Sequence, residues 1–208
     1  MAEIPFNPFS LFGKTILVTG ASAGIGKAIA IACSQMGGMV ILNGRNQERL
    51  KKTLQELSGE GHQIISADLS MEKDRTRLID NLPKLDGLVQ CAGVGSRVPC
   101  KMIGKDDLEH VFVPNVEAPI LLQTELLAKK KINKSSSIVF IASKAASFPS
   151  IGNAAYSASK GAIISYAKCL ALELAPRQIR VNCICPAMVW TDLIIQGGIS
   201  KEDLEEAQ

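Results

Sequence analysis

Two side chains in this sequence have the types and the spacing for proton transfer. Tyr156 and Lys160 stand four residues apart in Tyr156-Ser157-Ala158-Ser159-Lys160, which puts a phenol and an ammonium on one face of a helix. A free phenol titrates at about pH 10, too high for ready exchange at neutrality. A neighbouring ammonium stabilises the phenolate and draws that value down. One residue would tune and the other would move the proton. Alone, the pair equally describes the edge of an amphipathic helix, so its weight depends on its company.

That company is a glycine turn, Thr19-Gly20-Ala21-Ser22-Ala23-Gly24-Ile25-Gly26. It stands between an apolar run that reads as a strand and a segment with helical periodicity. Gly20 permits a tight turn, Gly24 lets a pyrophosphate approach bare backbone, and Gly26 brings helix and strand together. The unpaired N–H groups from Ser22, Ala23 and Ile25 onward offer positive potential. A dinucleotide fits there, although any tight strand-to-helix turn can use glycines. The next strand ends Asn43-Gly44-Arg45 with no carboxylate to repel a 2'-phosphate. Arg45, with Ser22, can form charge-assisted bonds to that phosphate. NADP(H) is favoured and NAD(H) stays open; the alternative is that Arg45 only solvates a loop. Beside a dinucleotide, Lys160 can also hold ribose hydroxyls.

The elements that must position these groups follow from hydrophobic period. Short apolar runs predict strands at 14–19, 39–43, 62–67, 85–91, 138–142 and 179–185. Helical spacing marks Ile25 to Met36, Leu50 to Leu57, the region of Leu78 and Leu82, a long stretch over 105–130, and Ala155 to Leu174. Pro114, directly before Asn115, removes a helix donor and favours a kink. Alternating strands and helices with continuously apolar strands call for an α/β, doubly wound parallel sheet with helices on both faces. The economical reading is a single domain over 1–208, with an N-terminal arm at 1–13.

The chain has 208 residues, 47% apolar and 21% charged, enough for a sizeable core and too apolar for disorder. A net charge of +3, from 23 Lys+Arg against 20 Asp+Glu, gives no argument for nucleic acid or an acidic membrane. Six cysteines without a C-x-x-C pair read as free core thiols, and His62 and His110 lack the spacing of a metal site. No apolar run reaches the roughly 18 residues that span a bilayer, and Glu3, Pro5 and Pro8 break any signal peptide. The expectation is a soluble cytoplasmic protein with no metal.

Taken in order, these motifs resemble the short-chain dehydrogenase/reductase family over essentially the whole chain, most closely its NADP-preferring members such as the 3-oxoacyl-[acyl-carrier-protein] reductases. The family's T-G-x-x-x-G-I-G turn is met by Thr19 to Gly26, its Y-x-x-x-K by Tyr156 and Lys160, its strand-end serine by Ser143 and its helix asparagine by Asn115. The resemblance implies a Rossmann-like sheet in the order 3-2-1-4-5-6. It implies that Tyr156 protonates a substrate carbonyl, Ser143 bonds that oxygen, Lys160 lowers the Tyr156 pKa and grips the ribose, and Asn115 holds a relay water. Cofactor contacts are implied for Asp68 and Leu69, for Cys91, Ala92 and Gly93, and for Pro186, Ala187, Val189 and Thr191. A homo-oligomer, tetramer or dimer, is implied as well.

The chain departs from that pattern at several places. Gln90-Cys91 replaces a pair of asparagines, so an amide brace is missing. Ala187 replaces a glycine, where left-handed backbone would be strained, and Ala23 stands where NADP-dependent relatives often carry a cation. Residues 188–208 match the substrate-covering region, with Gly197-Gly198 as hinges, and the expected final strand is missing as if the C-terminus were incomplete. That would leave the sixth strand an exposed edge. Two functions follow: a carbonyl reductase acting on a small molecule, or a catalytically weak dinucleotide-binding sensor. An NAD-dependent alcohol dehydrogenase is a third, differing in cofactor and direction.

Overall fold

Strands apolar on both faces need cover on both faces, and the structure supplies it. The computed structural model describes residues 7–191. In chain order the elements are β1 (Thr15–Val18), α1 (Gly24–Gln35), β2 (Met39–Gly44), α2 (Gln47–Gln55), β3 (Gln63–Ser66), α3 (Glu72–Asp80) and β4 (Leu85–Gln90). They continue with α4 (Lys105–Phe112), α5 (Ala118–Ala128), β5 (Ile132–Ile141), α6 (Ala154–Leu174) and β6 (Arg180–Ile184). The strands form one parallel sheet in the order β3-β2-β1-β4-β5-β6, as the resemblance implied. Side chains alternate between two cores. Leu17, Ile41, Leu88, Ile138 and Phe140 pack with Leu78, Leu122, Leu126, Ile163 and Leu170 of α3, α5 and α6. Ile16, Val18, Val40, Leu42 and Val89 pack with Ala30 and Leu50 of α1 and α2.

Because β1 lies between β2 and β4, successive connections leave it in opposite directions and a crevice opens above the strand ends. The candidate residues collect along this edge.

Two spans differ from the periodicity reading. The helix expected over 105–130 is α4 and α5 joined by a π-helical turn at Val113–Glu117, since Pro114 has no N–H for the regular ladder. Strand β5 starts at Ile132, six residues before the apolar run. Its polar first half, Asn133 to Ser137, carries an irregularity: Ser135 has φ 58° and the register with β4 shifts between Leu85 and Gly87. Among the described residues β6 pairs with β5 alone, and its exposure alternates rather than reading as continuously apolar. Of the arm, Leu11 donates its N–H to the Met36 carbonyl at 2.7 Å. Positions 1–6 and 192–208, with the expected hinge glycines, lie outside the described residues. The cysteines are less buried than expected: Cys100, Cys169 and Cys185 are exposed, and Cys33, Cys91 and Cys183 half-buried.

One buried cation ties the helical layer to the crevice. Arg75, 5% exposed, pairs through Nε with Glu125 of α5 at 2.9 Å, and its Nη1 donates to the Leu69 carbonyl at 2.9 Å. We expect Arg75→Ala to lower unfolding free energy by about 2–4 kcal/mol, since it strips a buried pair and a carbonyl partner together. Urea denaturation measures it, and a midpoint unchanged from the parent protein would show the pair to be energetically idle.

Candidate active site

The glycine turn is fixed by contact. Gly20 has φ +66°, and a Cβ there would stand 2.9 Å from the Ala92 backbone at the end of β4. A Cβ on Gly26 would run into the Gly20 carbonyl oxygen. Both positions therefore require glycine, and the N-terminus of α1 is drawn against the strand ends. That terminus carries no side-chain cap and no acidic residue in its first turn. By contrast α2 is capped by Asn46, whose side chain accepts from the Arg49 N–H. Uncapped N–H groups at the mouth of a glycine cradle form a donor set that fits a pyrophosphate.

One cavity gathers the candidates. Gly20, Ser22, Ala23, Gly24, Ile25, Gly26, Asn43, Arg45, Asp68, Leu69, Cys91, Ala92, Gly93, Ser143, Tyr156, Lys160, Pro186, Ala187, Val189 and Thr191 all line it. At the adenosine end, the Asn43 amide nitrogen donates to the Ile65 carbonyl at 3.0 Å, while its Oδ1 is buried without a partner. Asp68 Oδ1 accepts from the Ser70 N–H at 3.0 Å, shaping the turn that follows β3. Ser22 Oγ reaches the end of β2, where a Cβ on Gly44 would lie 3.4 Å from it. Ala187 does not need glycine's freedom, because the positive-φ residues other than glycine are Lys130, Ser135 and Gln178 among those described.

Asn115 stands behind the cavity wall. Its Oδ1 accepts from the Val94 N–H at 2.8 Å, and its Nδ2 donates to the Val94 carbonyl at 3.0 Å and to Ser159 Oγ at 3.1 Å. The side chain braces Val94, with its polar atoms engaged by protein groups.

Thr19, the first residue of the glycine-turn motif, has a task that its local sequence does not show. It is fully buried, and its Oγ1 accepts from the N–H groups of Cys91 and Ala92 at 3.0 and 3.1 Å. The brace thought lost with the asparagines is thus a hydroxyl from the neighbouring strand. Val94, Pro114 and Ala118 also line the cavity; nothing in their local sequence marks them, since the π-helical turn brings the last two in.

Lys160 is buried, and its Nζ donates to the Ile141 carbonyl at 2.9 Å and lies 5.6 Å from the Tyr156 ring centroid. Burial pushes the ammonium pKa below its ordinary value, against a smaller pull upward from Cys91, Cys183 and Cys185. Burial likewise raises the Tyr156 phenol, with a hydrogen bond to Ser143 acting in the other direction and Cys91 adding to the rise. The net direction is therefore the reverse of the lowering that spacing alone suggests, with desolvation of the phenolate the largest cause.

A short chain dehydrogenase family matches residues 14–198. The 3-oxoacyl-[acyl-carrier-protein] reductase FabG of Rickettsia felis is 36% identical over 183 residues, covering 88% of this chain and 76% of that protein. Among solved structures, the RhlG/NADP active-site complex of Pseudomonas aeruginosa superposes with a TM-score of 0.87 at 30% identity, over 97% of this chain and 83% of that one. The 3-ketoacyl-(acyl-carrier-protein) reductase of Brucella melitensis complexed with NADH gives 0.82 at 29% identity, over 89% and 80%.

The thiols of the cavity and the surface should separate chemically. Burial raises Cys91 to about 11, so the reactive thiolate is scarce at pH 8. Iodoacetamide at that pH should label the exposed Cys100, Cys169 and Cys185 first, with Cys91 following much more slowly. Peptide mapping reads the order; Cys91 labelled as fast as those three would contradict a neutral, shielded thiol.

Proposed function

The chain belongs to the short-chain dehydrogenase family, whose members are oxidoreductases that bind a nicotinamide dinucleotide, and from that premise we propose that it reduces a ketone carbonyl to a secondary alcohol with NADPH favoured over NADH. The observation that carries this reading is the meeting of Tyr156, Ser143 and Lys160 in one cavity that the uncapped α1 terminus also lines. A nicotinamide dinucleotide, when bound, supplies the hydride.

The chain's own residues do the rest. The Tyr156 hydroxyl gives its proton to the carbonyl oxygen as negative charge develops there, and the Ser143 hydroxyl donates a second hydrogen bond to the same atom. Preplaced donors in a partly desolvated site stabilise such charge strongly. Ser143 is placed for this: its Oγ accepts the Ala145 N–H at 3.1 Å, and its hydroxyl is hydrogen-bonded to that of Tyr156. Lys160, fixed by the Ile141 carbonyl, has donors left for ribose hydroxyls. Asn115 acts indirectly, through Val94 and through Ser159, whose Oγ donates to the Tyr156 carbonyl at 2.7 Å.

The preference for NADPH rests on Arg45 and Ser22 at the end of β2, with no carboxylate at 43–45. The Arg45 backbone is pinned by Ser66 Oγ, which donates to its carbonyl at 3.2 Å. A 3-oxoacyl thioester, suggested by the bacterial relatives, is one substrate to offer. Six free thiols fit a reducing cytoplasm. The exposed Leu121 of α5 and Leu172 of α6 fit a homo-oligomer formed through these helices.

Tyr156→Phe should lower turnover of a ketone panel by about 10²- to 10⁴-fold while NADPH still binds, as read by nucleotide fluorescence; full turnover in this variant would sink the reductase reading. Reduction uses the protonated phenol, and its folded value is raised. The rate should therefore hold through neutral pH and fall as pH climbs through that raised value; a rate increasing over that alkaline range would assign the proton to another group. Arg45→Glu should weaken NADPH binding at least tenfold and leave NADH nearly unchanged. Equal loss for both nucleotides would place Arg45 outside the phosphate site.

A further inference from the structure

The carbonyl end of the cavity is framed by three loops: 91–104 after β4, 142–153 after β5 and 185–191 after β6. They are stitched together by backbone. The Val98 N–H donates to the Gly152 carbonyl at 2.8 Å, and the Lys144 N–H to the Pro186 carbonyl at 2.9 Å. Over the whole chain the charges nearly balance. In these loops they do not: Arg97, Lys101 and Lys144 are present and no Asp or Glu is. All three side chains are exposed, and none has a carboxylate partner among the described residues.

The same loops expose large apolar groups. Phe148 is 71% exposed and Ile151 97%, and Met188, Val189 and Trp190 are exposed on the third loop. Lys144 joins the two characters. It follows Ser143 directly, and its Nζ lies over the Phe148 ring, 5.0 Å from the centroid, a placement that orients the ammonium beside an apolar surface.

We propose that this mouth takes an amphipathic carbonyl compound, an apolar body bearing a carboxylate or phosphate, and that Lys144, with a smaller contribution from Arg97 on the loop bonded to Gly152, reads the anion and so sets specificity. The proposal rests on the reductase reading and adds to it the substrate's charge and polarity. An apolar body covers Phe148, Ile151 and Trp190, while the anion finds cations with no carboxylate to displace. An exposed pair of this kind is worth about fivefold in affinity, and reversing the charge about tenfold or more.

The test measures binding and turnover separately, on the full chain. Fluorescence titration compares 11-(dansylamino)undecanoate with its methyl ester at low salt. We expect the acid to bind about tenfold tighter, a preference that shrinks on adding salt. Lys144→Glu should bring the acid-to-ester ratio close to one, Lys144→Arg should keep it, and Arg97→Gln should lower it in part. Displacement by decanoate against decyl phosphate tells which anion is preferred. Equal binding of acid and ester by the parent protein, or a preference that survives both salt and Lys144→Glu, overturns the proposal. The parent protein's salt response decides the matter even if a variant fails to fold.

Turnover of 9-oxodecanoate and methyl 9-oxodecanoate with NADPH completes the set, with the higher kcat/KM expected for the acid. Reduction of both at equal kcat/KM, with equal probe binding, defeats the anion site and leaves the reductase standing. Anion-selective binding with no reduction of any carbonyl defeats the reductase and leaves the anion site.

Discussion

The close approach of the β1–α1 turn to the end of β4 sets the floor of the cavity. Gly20 lies against Ala92 with no room for a side chain, and Thr19 accepts from both N–H groups of the Cys91-Ala92 step. These contacts join two strands whose connections depart in opposite directions, so they hold together the crevice that a doubly wound sheet opens at its carboxyl edge. A bulkier residue at Gly20 or an apolar one at Thr19 would act on both walls at once: the uncapped α1 terminus on one side and Gly93, beside Asn115 and Lys160, on the other.

Beyond this floor the site is held in a state of unfavourable burial. Lys160 is taken out of water with, among the described residues, a single neutral oxygen as its hydrogen-bond partner and no carboxylate, which costs free energy. Burial disfavours the charged forms of both Lys160 and Tyr156. Perturbed groups of this kind, gathered in one cavity, mark a functional site more often than a structural one.

The sheet was legible in the sequence because its strands are apolar on both faces and its helices keep one period. The cavity lining was legible because a few residue types, glycine, tyrosine, lysine and serine, stood at the ends of those elements. Other features depend on contacts distant in the chain. The brace from Thr19 crosses 72 positions to Cys91, and no local pattern announces it. Spacing reveals the ammonium beside Tyr156 but not how far burial removes water from both groups. Net charge is silent in a similar way: a total of +3 does not show that the loops 91–104 and 142–153 hold cations and no carboxylate, a grouping that becomes visible once the sheet order brings those loops together.

Pro114 shows how a local defect can serve the site. A regular helix over 105–130 would pack α4 and α5 as one rod. The missing N–H instead admits a π-helical turn, and Asn115 within it faces inward, 2% exposed, with all its hydrogen bonds made to Val94 and Ser159. Those two partners belong to segments far apart in the chain. Val94 begins the loop that carries Arg97, and Ser159 donates to the Tyr156 carbonyl within α6. The ladder bond lost at Pro114 is offset by buried bonds that fix the position of the proton donor relative to the loop over the substrate. Val94 depends on this arrangement, since its N–H and its carbonyl are both satisfied by this one amide.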